Sequence, residues 1–180
     1  MTVPSIARLG HVGIHAYDIQ KERAFYQDVL GLQVTDEDPV MGMVFMSAQP
    51  EEEHHEFLIC GGRNVEDKDA LLLQQVSFRC NSLDDVIGYY HRLKENHVQF
   101  DMIVSHGNAV GLYFRDPEGN RLEVYWPTGL KARQPYLEMV NLDEPPDEIM
   151  RKIRESVAEH GENGIVDTKA LELQDIHTSS

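Results

Sequence analysis

The sequence predicts an α+β fold: two tandem β-α-β-β-β modules forming a curved mixed sheet around a cleft, followed by a C-terminal helical tail. Three observations carry this reading. The chain repeats itself, Leu9-Gly10-His11-Val12-Gly13-Ile14-His15 being answered by Leu73-Gln74-Gln75-Val76-Ser77-Phe78-Arg79. Both segments alternate polar and apolar residues with period two, as a half-buried strand does. Each is followed by a helix-capping signal and then by short strand-like runs separated by turn residues.

The first module spans about residues 7–60. After its first strand Asp18 caps a helix that carries Phe25 and Val29 on one face and stops at Leu30-Gly31. Gly42-Met43-Val44-Phe45 and the run from Pro50 to Phe57 supply later strands, and Gly61 to Ala70 links the modules. The second module spans about residues 71–127. There Ser82 and Asp85 resemble a capping box, Val86, Tyr90 and Leu93 share a helix face, and the helix ends near Asn96. Gly111-Leu112-Tyr113-Phe114 answers the Gly42 run, and Pro117 to Val124 answers Pro50 to Phe57, aligning Glu56 with Glu123. Asp116, Pro117 and Gly119 suit the first, second and fourth positions of a type I turn. The modules make one domain, residues 1–130, and the repeat stops near Lys131. The extension, residues 131–180, is expected to hold an amphipathic helix at about 147–160, with Ile149, Ile153 and Val157 in register. That helix would pack on the domain or on a second subunit, and the polar segment beyond Gly164 would be mobile at its end.

A length of 180 residues allows one domain with a full core. The net charge of -15 argues against a nucleic acid or an anionic membrane as partner. No apolar run reaches membrane-spanning length, and the first residues lack the basic-then-apolar pattern of a secretory signal, so a cytoplasmic protein is expected. Cys60 and Cys80 are then buried free thiols rather than a disulfide.

Strand alternation also predicts which side chains share a face. His11, Gly13 and His15 oppose Val12 and Ile14; Gln75, Ser77 and Arg79 oppose Val76 and Phe78. Tyr113 and Arg115 oppose Leu112 and Phe114; Glu123 and Tyr125 oppose Leu122, Val124 and Trp126. These polar groups are ligand-competent, unlike the Lys, Glu and Thr of a wetted sheet. A sheet curved around a polar cleft fits them, with His11, Gln75 and Glu123 able to converge.

His11, the helix run Ala24 to Leu32, and Asp116-Pro117-Glu118-Gly119-Asn120-Arg121-Leu122-Glu123, in this order and within a repeat, resemble the vicinal oxygen chelate superfamily. That superfamily includes glyoxalase I, extradiol ring-cleavage dioxygenases, epimerases and metal-dependent resistance proteins, and the resemblance covers about the first 127 residues. The extradiol dioxygenases are the nearest group, because His106, Leu112-Tyr113, the Asp116 turn and Glu123 fill their signature. The resemblance implies a homodimer that cleaves a small catecholic or related dihydroxyaromatic substrate with dioxygen on a divalent metal, Fe(II) first and Mn(II) second. It implies His11 and Glu123 as metal ligands, His106 and Tyr113 as a pair contacting substrate and dioxygen, and His55 as the acid–base histidine.

Gln75 departs from the pattern, standing where that family has its second histidine ligand. Its carbonyl is a harder and weaker donor than imidazole, which lowers affinity for iron and shifts preference toward manganese or magnesium. Some glyoxalases also use a Gln ligand. Two other readings therefore stay open. A register change of one residue would turn Glu56 rather than His55 to the metal, giving His11, Glu56, Gln75 and Glu123, a set resembling glyoxalase I and its proton shuttle. Alternatively the scaffold binds a ligand without turnover. His15 shares the cleft face, His54 sits in an acidic loop, and His91, His97, His160 and His177 fall at exposed helix or tail positions.

Overall fold

A computed structural model of the chain describes residues 9–63 and 73–167. Most of the expected linker, the polar end of the tail and His177 lie outside the described residues. The chain divides into two compact units, Met1–Ala70 and Leu71–Ser180, each built on one module.

The first unit runs β1 (Val12–Ala16), α1 (Ile19–Ala24) continued by a π-helical turn (Phe25–Val29), β2 (Gln33–Asp38), β3 (Met43–Ser47) and β4 (Phe57–Gly61). The Asp18 carboxylate accepts the Lys21 amide and starts α1. The wider turn closes where the Leu30 amide reaches the Phe25 carbonyl, and Gly31 at φ 82 ends it, burying Phe25, Tyr26 and Leu30. The sheet order is β1-β4-β3-β2, with β1 parallel to β4 and the remaining pairs antiparallel. Ile14 and Ala16 point into the core, while His11, Gly13 and His15 are exposed, as the alternation predicts. Tyr26 and Phe57, their rings 4.3 Å apart, are fully buried together with Met46 and Ile59.

The second unit runs β5 (Val76–Arg79), α2 (Leu83–Glu95), β6 (Phe100–Ser105), β7 (Ala109–Arg115), β8 (Arg121–Pro127), β9 (Tyr136–Met139), α3 (Pro146–His160) and β10 (Ile165–Val166). Its sheet order is β10-β9-β6-β7-β8-β5. The Ser82–Asp85 capping box is present, and Val86, Tyr90 and Leu93 are buried on the helix that packs against β7 and β8. The turn into β8 is held by the Gly119 amide on the Asp116 carbonyl at 3.0 Å. Asp116 Oδ1 accepts the Glu118 and Asn120 amides, and its Oδ2 accepts the Asn120 side chain. Sequence patterning predicts only a helix in the extension. The helix is there, with Ile149, Met150 and Ile153 buried, but the same stretch also adds β9 beside β6 and β10 beside β9. Strands of four and two residues are too short for alternation to announce them.

Both modules and the tail helix are thus present, each module forming a mixed sheet. Among the described residues no helix is long and apolar enough to cross a membrane.

The ladders correct the pairing of the two modules. Val12 pairs with Phe57, and its equivalent Val76 pairs with Leu122. Leu58, not Glu56, therefore occupies the position equivalent to Glu123. The connection from Pro50 to Phe57 is two residues longer than that from Pro117 to Leu122, so aligning the prolines misplaces the strand.

Both cysteines are free, Cys60 half-buried and Cys80 buried. Burial, and then the charge of Asp85, pushes the Cys80 thiol up to about 11. Iodoacetamide near neutral pH is expected to alkylate Cys60 and spare Cys80 in the folded protein. Peptide mass spectrometry reads this directly, and equal labelling would contradict it.

Candidate metal centre

In the second unit β5, β8 and β7 lie side by side, with Ser77 opposite Glu123 and Glu123 opposite Tyr113. Residues paired across adjacent strands share a face, so these three side chains form one row. Glu123 and Tyr113 are only 6% and 5% exposed. Glu123 Oε2 accepts the Ser77 hydroxyl at 2.6 Å and the Gln75 amide nitrogen at 3.1 Å; that nitrogen also donates to Ser77 Oγ at 2.9 Å. With its amide nitrogen so engaged, Gln75 has its carbonyl oxygen left to face a ligand. A Cβ on Gly111 would stand 2.6 Å from Glu123 Oε1 and 3.0 Å from Tyr113 Cε2, so only glycine leaves room for the carboxylate in this position.

A carboxylate this buried is costly unless a positive charge accompanies it. Among the described residues none forms an ion pair with Glu123. Arg121, two positions away on β8, instead lies over the Tyr113 ring at 4.9 Å and pairs with Asp101 at 3.6 Å. A divalent cation is the natural complement. A carboxylate with an amide carbonyl suits manganese or magnesium.

The Tyr113 hydroxyl lies 2.9 Å from His106 Nε2, and His106 Nδ1 lies 3.0 Å from the Tyr136 carbonyl oxygen. A carbonyl only accepts, so Nδ1 carries a proton; in the neutral ring Nε2 then accepts from the Tyr113 hydroxyl. Burial, and then the hydrogen bond and charge of Glu123, raise the Tyr113 hydroxyl far above the usual phenol value. It is held as a proton donor.

In the first unit His11 stands just before β1. The His55 ring lies 4.5 Å from the His11 ring and 5.1 Å from that of Phe45. His54 Nδ1 is 3.0 Å from His55 Nδ1, one donating to the other. Partial burial, and then the neighbouring His11 and His54, push His55 below the ordinary imidazole value, which favours the neutral, proton-accepting ring. Glu56 is turned elsewhere. Its Oε2 accepts the Ala48 amide at 2.9 Å and the Ser47 hydroxyl at 3.2 Å, closing the β3–β4 connection. His15 Nδ1 meets the Gly61 carbonyl at 2.9 Å, on the neighbouring strand.

The first unit thus gathers His11 and His55, and the second gathers Gln75, Glu123, Tyr113 and His106. Among the described residues no three His, Cys, Asp or Glu side chains are clustered for a metal. Sequence reasoning gave Ser77 and Gly111 no role. A glycine inside a strand is the signal that could have found the second.

These features define a class. The chain belongs to the Glyoxalase/Bleomycin resistance protein/Dioxygenase superfamily, matched over residues 8–124. It is 32% identical to biphenyl-2,3-diol 1,2-dioxygenase 3 of Rhodococcus globerulus, over 65% of this chain and 62% of that one. It is 24% identical to the manganese-dependent 2,3-dihydroxybiphenyl 1,2-dioxygenase of Geobacillus genomosp. 3, over 71% of this chain and 41% of the relative. The matches therefore span less than two thirds of these relatives' lengths. Lactoylglutathione lyase from Agrobacterium tumefaciens shares the fold, with a TM-score of 0.55 at 19% identity over 68% of this chain and 96% of that one.

Proposed function

We propose that this chain is a metal-dependent extradiol-type dioxygenase, cleaving the ring of a catecholic or related dihydroxyaromatic compound, with His11, Gln75 and Glu123 as metal ligands. One observation carries most weight: Glu123 is buried among hydrogen-bond donors with no ion-pair partner among the described residues, in a row with a Tyr113 whose hydroxyl meets His106. The two relatives described above, both dioxygenases of dihydroxylated biphenyls by name, support the same reading. A homodimer belongs to the proposal through the superfamily resemblance.

Bound there, a divalent ion supplies a template for vicinal hydroxyls and a path for electrons to dioxygen. Fe(II) is expected, and Mn(II) suits the Gln75 carbonyl. The protein's own part is proton handling. His55, neutral at physiological pH, removes a proton from a substrate hydroxyl. Tyr113 stays protonated; at rest its hydroxyl donates to His106 Nε2, and it serves developing negative charge by turning that one proton from the ring toward the substrate. A glyoxalase-type shuttle asks for a carboxylate on the first module's last strand. Leu58 holds that register, and Glu56 is engaged by Ser47 and Ala48.

Protein purified anaerobically and loaded with Fe(II) or Mn(II) is expected to consume dioxygen with 2,3-dihydroxybiphenyl or simpler catechols, giving yellow ring-fission products. Absence of oxygen uptake across the panel, with loss of a glutathione hemithioacetal, would favour the glyoxalase reading instead. Tight catechol binding with neither reaction would point to a binding protein. Tyr113→Phe should keep its metal and lose about 10²-fold in kcat, the scale of one positioned proton donor. Metal analysis beside steady-state kinetics separates those two effects.

A further inference from the structure

Residues 131–136 lie beyond the region matched by the superfamily, yet they press on the loop that carries His106. Gly107 has φ 71, and a Cβ there would come within 2.4 Å of Ala132 Cβ and 3.3 Å of the Tyr136 ring. Gln134 bridges the two segments with both ends of one amide. Its Nε2 donates to the His106 carbonyl at 2.9 Å, and its Oε1 accepts the Tyr136 backbone N–H at 3.1 Å. Those two bonds tie the His106 backbone to that of Tyr136, whose carbonyl accepts a hydrogen bond from His106 Nδ1–H. Tyr136 is itself anchored. It is 1% exposed, and its hydroxyl reaches Glu138 at 3.0 Å and Ser156 of α3 at 2.5 Å.

We propose that Gln134 is a positioning residue, stapling His106 to Tyr136 so that Nδ1 keeps its proton and Nε2 faces the Tyr113 hydroxyl as an acceptor. The consequence for turnover rests on the dioxygenase reading; the consequence for the imidazole does not. The chemistry turns on where one proton points. With Nδ1 protonated, the Tyr113 hydroxyl donates to His106. In the other tautomer Nε2–H donates to the Tyr113 oxygen, and the phenol proton, no longer shared with the ring, falls wholly to Glu123, to which Tyr113 is already bonded, drawing on the carboxylate's lone pairs and weakening it as a metal ligand. A segment outside the shared domain would then select which of these states the site adopts.

Gln134 is exposed, so its replacement removes no core contact. The test uses full-length ¹⁵N-labelled protein freed of metal, in which long-range ¹H–¹⁵N correlation reads the His106 ring. Wild type is expected to show one tautomer, protonated at Nδ1. Gln134→Ala should populate both tautomers and lower kcat about tenfold, the worth of one hydrogen bond, with KM changed less than about twofold. Gln134→Glu keeps the acceptor for the Tyr136 N–H but loses the donor to His106, so it should fall between. A Gln134→Ala protein with pure Nδ1–H tautomer and wild-type kcat overturns the proposal. So does a lowered thermal midpoint with the tautomer unchanged, which would mark a merely structural role. If the tautomer shifts but wild type turns over no catechol, the staple stands and the dioxygenase reading falls.

Discussion

Glu123→Gln is expected to abolish metal binding and reduce turnover at least about 10³-fold, without destabilising the metal-free protein. The two halves of this expectation have opposite physical origins. In the loaded enzyme the carboxylate supplies the only formal negative charge among the three proposed ligands, and a neutral amide cannot replace it. In the metal-free protein the same carboxyl group is buried with no ion-pair partner among the described residues, bonded instead to Ser77, Gln75 and Tyr113. Replacing such a charge by a neutral group of similar volume is neutral or stabilising, by about 1 kcal/mol or more. Thermal melts with and without Mn(II) check both. Wild type should gain about 2.7 kcal/mol at a metal concentration near 100 times Kd, and the variant nothing. A variant that melts lower without metal, or keeps its metal-induced shift, would contradict this.

Gly111→Ala is expected to cost about 10²-fold in activity for a modest loss of stability. The new methyl would stand 2.6 Å from Glu123 Oε1, closer than real contacts allow, so the carboxylate must move. As the tip of a flexible side chain it can do so, with the Tyr113 ring giving slightly as well. The fold therefore loses only about 1–3 kcal/mol. The site loses more, because displacing a reacting group by about 1 Å costs about 10²-fold in rate. Chemical denaturation and metal titration on the same protein separate the two losses. Wild-type affinity and activity would show that the carboxylate has no fixed place there.

The parts of this architecture that announce themselves in sequence are those with local chemistry. Asp18, the Ser82–Asp85 pair and the Asp116 turn each satisfy backbone amides within a few residues, so spacing suffices to find them. The polar faces follow from a period of two. Register does not, because it depends on how many residues a connection consumes. The longer run from Pro50 sets Leu58 rather than Glu56 opposite Gly13, and only the folded chain reveals that Glu56 closes a turn while the His55 ring lies tilted against that of His11. Strands β9 and β10 are too short to show a period, and an exposed glutamine such as Gln134 carries no pattern at all. Its role is visible only through the two backbones it joins.

The most direct measurement is anomalous diffraction at the manganese edge from crystals of the Mn(II)-loaded chain. The expected result is one peak per chain bonded to a Glu123 carboxylate oxygen, with the Gln75 carbonyl and the His11 imidazole as fellow ligands. A peak on other residues, or an equal peak in Glu123→Gln crystals, would contradict it.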